Sequence, residues 1–448
     1  MRILSIVLLL AACGTSKPLV EPDAGNSGPN SCEACTDSAT VFGMSWCSAT
    51  QTCVDESSTT CDYGLIHGPN CNDTGLAMKS KIPIDCRKDL QVTQKACKDW
   101  GQGNPKDVGA GTTNDRYLYG GGFVDAANHR LVVAFSCDVC TQKDSGVMGI
   151  DLVTGDRTLL SGAVNDILTG PASVGTGSAL LSADDVQLAP NGKWWVLDSK
   201  GAAAKIYVVD PATGNRTDLY TQAQFDGTTG ICKVAGRVFS VGKEANGSSA
   251  VNMVVHADGK IYIQATTNLD ASNKSATGIV ELSGTTCKVI ASYESGAATF
   301  NVGTGPMISE PYAWLADWNG KLIANETTYF VHAIEIATGN RTVISSSYSG
   351  GLLGTGGNLG QATVAPSKDG AVIFTTGKFS SMTFGGTVAI DPATGNRTTY
   401  VPAAGPQRNG SDGAMIPHPT LDGVYLVPEL GGVTMYEPIT GNSAWLSR

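Results

Sequence analysis

Short apolar runs separated by turn residues fill the chain from about residue 115 to residue 448. The clearest unit is a run of β-branched or aromatic residues, a Thr-Gly-Asn or Thr-Gly-Asp turn, and a second short run. In one copy, Lys205–Val209 precedes the turn and Thr217–Tyr220 follows it. Gly and Asn tolerate a positive φ, so each copy predicts two antiparallel strands joined by a tight turn. The successive hairpins are marked by Asp151, Asp210, Glu281, Glu335, Asp391 and Glu437.

A second hairpin precedes each of these turns. Val186–Val196 shows it best, with an apolar run, the turn Pro190-Asn191-Gly192 and another apolar run. Strand, Asp/Asn-Gly type turn and strand recur at residues 124–133, 253–263, 314–323, 363–374 and 416–427. Two hairpins give four strands per unit, and the unit occurs six times. The pattern therefore predicts an all-β fold, a six-bladed β-propeller over residues 115–448.

The turn sequence Asn215-Arg216-Thr217 and its relatives also match the N-glycosylation acceptor pattern. Because the triplets recur at a fixed place in a turn, turn geometry explains them better. Blades that end in Asp-x-x-Thr-Gly-x-Arg-Thr resemble those of bacterial exported six-bladed propellers of the NHL/TolB-like type. The resemblance covers about residues 115 to 448 and implies the architecture. It implies no activity, because the fold hosts hydrolases, lyases and binding platforms alike.

Residues 1–12 are predicted to be an export signal. A basic start at Arg2 is followed by an apolar run, Ile3–Leu10, that is too short to span a bilayer. Leu10-Ala11-Ala12-Cys13 resembles the lipobox of bacterial lipoproteins. That resemblance implies cleavage before Cys13 and a lipid on this residue, which would hold the protein to a membrane. An ordinary signal peptide with a chance cysteine is the alternative.

Gly14, rather than an aspartate, follows the cysteine. In the lipoprotein family this implies delivery to the outer membrane, either on its periplasmic face or at the cell surface. Residues 13–31 are rich in Pro, Gly, Ser and Asn, and they predict a disordered tether.

Residues 32–97 are predicted to form a small disulfide-rich module. They hold eight of the thirteen cysteines, and setting Cys13 aside leaves twelve, an even number that suits an exported disulfide framework. Cys32-x-x-Cys35 has a spacing found in zinc sites, but no second pair completes four ligands. Met44–Cys53 resembles the core of the plexin–semaphorin–integrin (PSI) module, with Met44 in place of that family's first cysteine. The resemblance implies a spacer without catalytic residues, and a Gly-rich linker follows at residues 98–114.

Two further cysteine pairs lie in the predicted propeller. Cys137 and Cys140 form a CxxC in a loop, and no helix pattern follows them as it does in redox-active motifs, which favours a local disulfide. Cys232 and Cys287 occur in similar contexts and are predicted to pair.

The composition limits the classes of partner. Net charge is −10 and charged residues are 16% of the chain, which argues against a nucleic-acid ligand because phosphates need a basic surface. No second apolar run of membrane length occurs, so the lipid is the one predicted anchor. No amphipathic helix pattern is convincing, and low helix content is expected.

No nucleophile elbow, P-loop, HExxH or EF-hand occurs in the sequence. The remaining candidate site is geometric, because residues just before the innermost strand of each blade converge on the channel. Those residues carry side-chain oxygens, which suit Ca²⁺. The arrangement resembles that of SMP-30/gluconolactonase propellers, whose metal polarises a substrate; strand capping is the alternative. The candidate metal ligands are Asp185, Asn252, Glu310, Gln361 and Asp412, with Ala313 at the corresponding place in one blade.

Tyr312, Trp314 and Trp318 cluster near Glu310 and are candidates for a ligand surface, whereas Trp194 and Trp195 are expected to pack between blades. The first hypothesis is a lipid-anchored propeller without catalytic activity that binds or scaffolds an unidentified protein or glycan. Ca²⁺ is the one candidate cofactor, and it belongs to the second hypothesis, a metal-dependent hydrolase or lactonase of the SMP-30-like type. A carbohydrate-binding propeller is the third.

Overall fold

The structure is a computed structural model with two compact units, Met1–Ile84 and Asp85–Arg448. In the first unit the described residues form a small antiparallel sheet of three strands in the order β2-β1-β3. These strands are β1 (Met44–Cys47), β2 (Thr52–Asp55) and β3 (Leu65–Ile66). The structure describes residues 44–47, 52–55, 65–66, 110–111, 118–137, 144–152, 155–166, 170–199, 204–225, 230–234, 236–241, 252–267, 276–293, 301–306, 314–326, 330–347, 353–356, 359, 363–378, 384–400, 414–419, 423–429, 432–438 and 442–447.

The second unit is a six-bladed β-propeller, as the sequence predicts. Blades 1, 2, 4, 5 and 6 are antiparallel meanders in which successive strands pair with their neighbours. Blade 1 contains β4 (Leu118–Asp125), β5 (Arg130–Ser136), β6 (Ser145–Asp151), β7 (Arg157–Asp166) and β8 (Gly170–Val174), with a 3-10 helix at Ala126–Asn128. Blade 2 contains β9 (Ala183–Leu188), β10 (Trp194–Asp198), β11 (Lys205–Val209) and β12 (Arg216–Tyr220). The short helix α1 (Gln222–Phe225) follows blade 2.

Blade 3 has an inner strand in two pieces. Its strands β14 and β15 both pair with β16, one after the other along its length. The blade contains β13 (Lys233–Val234), β14 (Arg237–Val241), β15 (Met253–Val255), β16 (Ile261–Thr267), β17 (Thr277–Ser283) and β18 (Thr286–Tyr293).

Blades 4, 5 and 6 each have four strands. Blade 4 contains β19 (Trp314–Trp318), β20 (Lys321–Glu326), β21 (Phe330–Ile334) and β22 (Arg341–Ser346). Blade 5 contains β23 (Thr363–Pro366), β24 (Ile373–Lys378), β25 (Phe384–Ile390) and β26 (Arg397–Tyr400). Blade 6 contains β27 (Ile416–Pro417), β28 (Tyr425–Glu429), β29 (Gly432–Glu437) and β30 (Asn442–Ser447).

The hydrophobic core lies between the blades. Alternation of side chains along each strand gives every blade two apolar faces, one for each neighbour. Trp194 packs in the cluster between blades 1 and 2, and Trp195 packs in the cluster between blades 2 and 3. The ring closes where β4 of blade 1 contacts both β9 of blade 2 and strands β27 and β28 of blade 6.

The repeated Thr-Gly-Asn-Arg turns connect neighbouring blades. In blade 2, Gly214 adopts φ +71°, as the turn requires. The backbone N–H of Arg216 donates to the carbonyl of Thr176 at 2.8 Å. Its guanidinium is buried and donates to the carbonyls of Val174 and Ser178, both at 2.9 Å. We name this contact, between an arginine and the connecting segment or outer strand of the preceding blade, an arginine joint. The four arginines are Arg157, Arg216, Arg341 and Arg397.

The asparagine of the same turn binds the same connecting segment. Asn215 Oδ1 accepts from the backbone N–H of Thr176 at 2.7 Å and from its hydroxyl at 3.0 Å. Asn340 and Asn396 bind Thr304 and Thr355 in the same way. In blade 1 the partner segment is Ala110–Gly111, which the sequence analysis placed in the linker. Ala110 N–H donates to Asp156 Oδ1 at 2.6 Å, so the repeat reaches upstream of residue 115.

Candidate functional site

Asp185 lies at the inner edge of blade 2, on strand β9. Its side chain is fully buried, and Oδ2 accepts from the backbone N–H of Met253 in blade 3 at 2.8 Å. Oδ1 accepts from the side-chain amide of Gln187 at 3.0 Å. Burial raises the pKa of Asp185 to about 7, although the hydrogen bonds from Met253, Gln187 and Val186 act in the opposite direction.

The inner strand of blade 1 has glycines where it meets this carboxylate. A Cβ added at Gly121 would overlap the Asp185 side chain, and one added at Gly120 would overlap the carbonyl of Asp184. The glycines therefore allow β4 and β9 to approach closely. Asp185 is enclosed by the inner strands of blades 1 and 3 as well as by its own.

Asn252 occupies the corresponding place in blade 3, and its side chain joins blades 3 and 4. Its Nδ2 donates to the carbonyl of Leu315 at 2.7 Å, and its Oδ1 accepts from the N–H of the same residue at 3.1 Å. One blade further on, Asn325 Nδ2 donates to the carbonyl of Thr363 at 3.3 Å. Polar side chains thus tie blade 2 to blade 3, blade 3 to blade 4, and blade 4 to blade 5.

Both described candidates for Ca²⁺ ligands are engaged in protein hydrogen bonds. The Oδ1 of Asn252 and both carboxylate oxygens of Asp185 accept such bonds, and the role of these side chains in a metal site stays a prediction. In the part of the chain that the structure describes, no group of three or more His, Cys, Asp or Glu side chains is arranged to hold a metal. Glu310, Gln361 and Asp412 lie outside the described residues, so their role in a metal site stays a prediction.

Strand register also changes which residues are equivalent from blade to blade. Asp185 pairs with Leu197, which lies three residues beyond Trp194, the residue in register with Arg216. Counted in the same way from the residues in register with Arg341 and Arg397, the corresponding pairs are Trp314 with Asn325 and Thr363 with Thr376. Trp314 and Thr363 therefore stand at the level of Asp185, where the sequence analysis placed Ala313 and Gln361. The first hairpin turns differ in length between blades, and counting back from them shifts the position.

The predicted aromatic surface is only partly described. Trp314 is 4% exposed and packs in the core between blades 4 and 5, so its assignment to a ligand surface is wrong. Trp318 packs against the same cluster, and its Nε1 donates to the carbonyl of Gly370 at 2.9 Å. Tyr312 lies outside the described residues and remains a candidate.

The structure contains a disulfide between Cys232 and Cys287, the pairing expected from the sequence. Cys137 is also disulfide-bonded. Cys140 lies outside the described residues, so its pairing with Cys137 remains a prediction. The cysteines predicted to form the N-terminal framework carry no described side chains.

The sequence patterns did not predict the segments whose carbonyls accept hydrogen bonds from the joint arginines. Three of them read Val-Gly-Thr-Gly or Leu-Gly-Thr-Gly, and this short repeat is visible in the sequence. Gly175 approaches the turn at Gly214 so closely that an added Cβ would overlap its carbonyl. The segments are 174–177, 302–305 and 353–356.

The six sheets and their inner edges define a six-bladed β-propeller protein. No protein-family model and no curated protein matches the chain. Among solved structures, it is similar to a putative gluconolactonase at 10% identity, over 80% of this chain and 94% of that one, with a TM-score of 0.43. Regucalcin of Agrobacterium tumefaciens, a calcium-binding protein, is similar at 11% identity, over 76% and 93%, with a TM-score of 0.40. An α-L-arabinanase of Penicillium chrysogenum is similar at 10% identity, over 77% and 99%, with a TM-score of 0.44. These similarities carry no conclusion about activity.

Proposed function

We propose that this protein is an exported, lipid-anchored propeller that binds or scaffolds a ligand without catalysing a reaction on it. One observation carries the proposal: Asp185 and Asn252, the described polar candidates at the inner strands, are bonded to neighbouring blades. Side chains used in this way stabilise a rigid ring, and a rigid ring suits the presentation of a binding surface.

The anchoring part of the proposal depends on Cys13. Leu10-Ala11-Ala12-Cys13 supplies the lipobox-like sequence, and residues 13–31 supply a polar tether of low complexity. The Cys232–Cys287 disulfide supports an oxidising compartment such as the periplasm or the cell surface. No helix in the described part of the chain is long and apolar enough to cross a membrane.

Metabolic labelling with an alkyne fatty acid in a bacterial host tests the anchor. The full chain should incorporate the label and fractionate with the outer membrane. The Cys13→Ser variant should do neither, while Cys137→Ser, which removes a cysteine of the propeller, should be labelled like the parent. A parent chain without label, or a labelled Cys13→Ser variant, would contradict the anchor.

The second candidate is a metal-dependent hydrolase or lactonase. The observation in its favour is the buried Asp185 carboxyl with its raised pKa, because such groups are often found in functional sites. Calorimetric titration of the chelator-treated chain with Ca²⁺ separates the two. The binding proposal expects no heat that depends on Asp185, whereas stoichiometric binding abolished by Asp185→Asn would favour the hydrolase.

A carbohydrate ligand is one form of the binding proposal. Tyr312 and Trp318 are the aromatic residues to test, since flat rings stack on sugar faces in binding sites of this kind. A glycan panel read by tryptophan fluorescence should give a saturable change that is lost in Tyr312→Ala. A change that persists in this variant would place the ligand elsewhere.

A further inference from the structure

Four of the blades are held to the preceding part of the ring by an arginine joint. Each of these arginines is 5 to 9% exposed. Each of their backbone N–H groups donates to a carbonyl of the segment that leads into the blade, at 2.7 or 2.8 Å. The joints are therefore formed twice, through backbone and side chain, and none of these bonds depends on redox conditions.

Blade 3 has a cysteine at the register position of the joint arginine. Arg216 pairs with Val209, which itself pairs with Trp194, the first residue of the second strand in that blade. In blade 3, Cys287 pairs with Leu282, and Leu282 pairs with Ile261, again the first residue after the corresponding turn. The same three-strand register thus places Cys287 where blades 1, 2, 4 and 5 have arginine.

The partner of Cys287 lies in the segment that leads into blade 3. Cys232 precedes strand β13, it is fully buried, and its carbonyl accepts from the N–H of Phe239 at 2.7 Å. Tyr220 and Phe225 pack in the same core cluster. The disulfide spans 55 residues and joins the incoming segment to the outer strand, which are the two pieces of chain that an arginine joint connects.

We propose that the disulfide Cys232–Cys287 is a redox-dependent joint, which is formed by a thiol–disulfide oxidoreductase and fixes the segment that leads into blade 3 to the outer strand of that blade. The two thiols give up two protons and two electrons, a sulfur–sulfur bond forms, and the disulfide of the oxidoreductase becomes two thiols. Cys287 is partly exposed whereas Cys232 is buried, so Cys287 is the sulfur that forms the mixed disulfide with the oxidoreductase.

Blade 3 also depends on this joint more than its neighbours depend on theirs. Its inner strand is divided into β14 and β15, so its contact with β16 is made in two short pieces. The joint fixes the segment that carries β13 and β14 to strand β18 on the far side of the blade. Reduction is therefore expected to loosen this blade before the others.

The test compares melting temperatures of the full-length chain in oxidising and reducing buffer. Under oxidising conditions, the Cys232→Ala/Cys287→Ala variant should melt about 5 to 10 °C below the parent, from the loss of a cross-link of this span. Under reducing conditions the difference should nearly disappear, because the parent has lost the same bond. Arg216→Ala is the matched control, and its difference from the parent should be the same in both buffers.

Two outcomes overturn the proposal: equal melting of parent and double variant under oxidising conditions, or a difference that persists in reducing buffer. If the double variant does not fold, hydrogen exchange of the parent chain replaces it. Reduction should then raise exchange first in β13, β14 and β18, and loss of protection elsewhere first would refute the joint.

Glutathione disulfide tests which sulfur forms the mixed disulfide. Cys232→Ala should gain a glutathione adduct at Cys287, and Cys287→Ala should gain none at Cys232. The reverse pattern would contradict the assigned order.

Discussion

Replacement of Asp185 by Asn should make the propeller more stable at pH 8 and leave it nearly unchanged at pH 4. Burial raises the pKa of Asp185 from 3.8 to about 7, so the folded chain retains a proton that the unfolded chain releases above pH 3.8. The free energy of unfolding therefore falls as the pH rises from about 4 to about 7, and it is then constant. Asn does not titrate, so the free energy of unfolding of the variant does not include this decrease with pH.

The size of the effect follows from the shift in pKa. A difference of one unit between the folded and unfolded pKa corresponds to about 1.4 kcal/mol. The shift of Asp185 from 3.8 to about 7 therefore lowers the free energy of unfolding at pH 8 by on the order of 4 kcal/mol, as an upper limit. The hydrogen bonds can survive the change. Asn Oδ1 can accept from Met253 N–H, and Asn Nδ2 can donate to Gln187 once the amide of Gln187 is turned over.

Urea unfolding of both chains at pH 4, 6 and 8, in the presence of chelator, measures the difference. Asp210→Asn is the matched control, because this partly exposed carboxyl has its pKa lowered, chiefly by the hydrogen bond from Lys193. The ionised Asp210 carboxylate stabilises the folded chain above the pKa of the unfolded state, and this stabilisation is lost as the pH falls. The Asp210→Asn variant should therefore have a lower free energy of unfolding than the parent at pH 8. The reasoning is refuted if the difference between Asp185→Asn and the parent is independent of pH, or if it decreases toward pH 8.

Substitutions at three further positions test the contacts between blades by thermal or urea unfolding. Gly121→Ala should cost about 1 to 3 kcal/mol, because the added methyl group overlaps Asp185 and overpacks the meeting of β4 and β9; a neutral result would show that these strands can separate. Arg216→Ala should cost about 1 to 3 kcal/mol, because it leaves buried carbonyls without a donor. Arg216→Lys should recover only part of this stability, because an ammonium group cannot reproduce the planar set of donors of a guanidinium. Full recovery by Lys would contradict the joint. Trp318→Phe should cost about 1 kcal/mol through the lost bond to Gly370, and an unchanged melting temperature would show that this bond is replaced by water.

The blades could be predicted because the information that specifies them is local. Lys205–Val209 and its turn carry the alternation and the glycine that a hairpin needs, and Gly214 takes the predicted positive φ. The divided inner strand of blade 3 was not predicted. The pattern at residues 253–263 marks only its second piece, and Arg237–Val241 pairs with the far end of β16.

The inner-edge residues show where such prediction fails. The polar character of Asp185 and Asn252 is visible in the sequence, and the structure places Asp185 within β9 and Asn252 directly before β15. Their partners, Met253 and Leu315, are 68 and 63 residues away, in the next blade. A hydrogen bond of this kind cannot be distinguished from a metal ligand by residue type, because oxygen atoms suit both. Only the three-dimensional arrangement decides between them.

The arginine joints change where a ligand should be sought. A six-bladed ring must join every blade to the next, so a motif that recurs in most blades is explained by that need before any binding role. The Thr-Gly-Asn-Arg turns and the Gly-Thr-Gly segments fulfil it, and a cystine fulfils it in blade 3. A single ligand does not share the symmetry of the repeat, so the residues that contact it should be ones that occur in a single blade. Glu310, Tyr312 and Asp412 belong to no repeated motif, and they are the first positions to vary in that search.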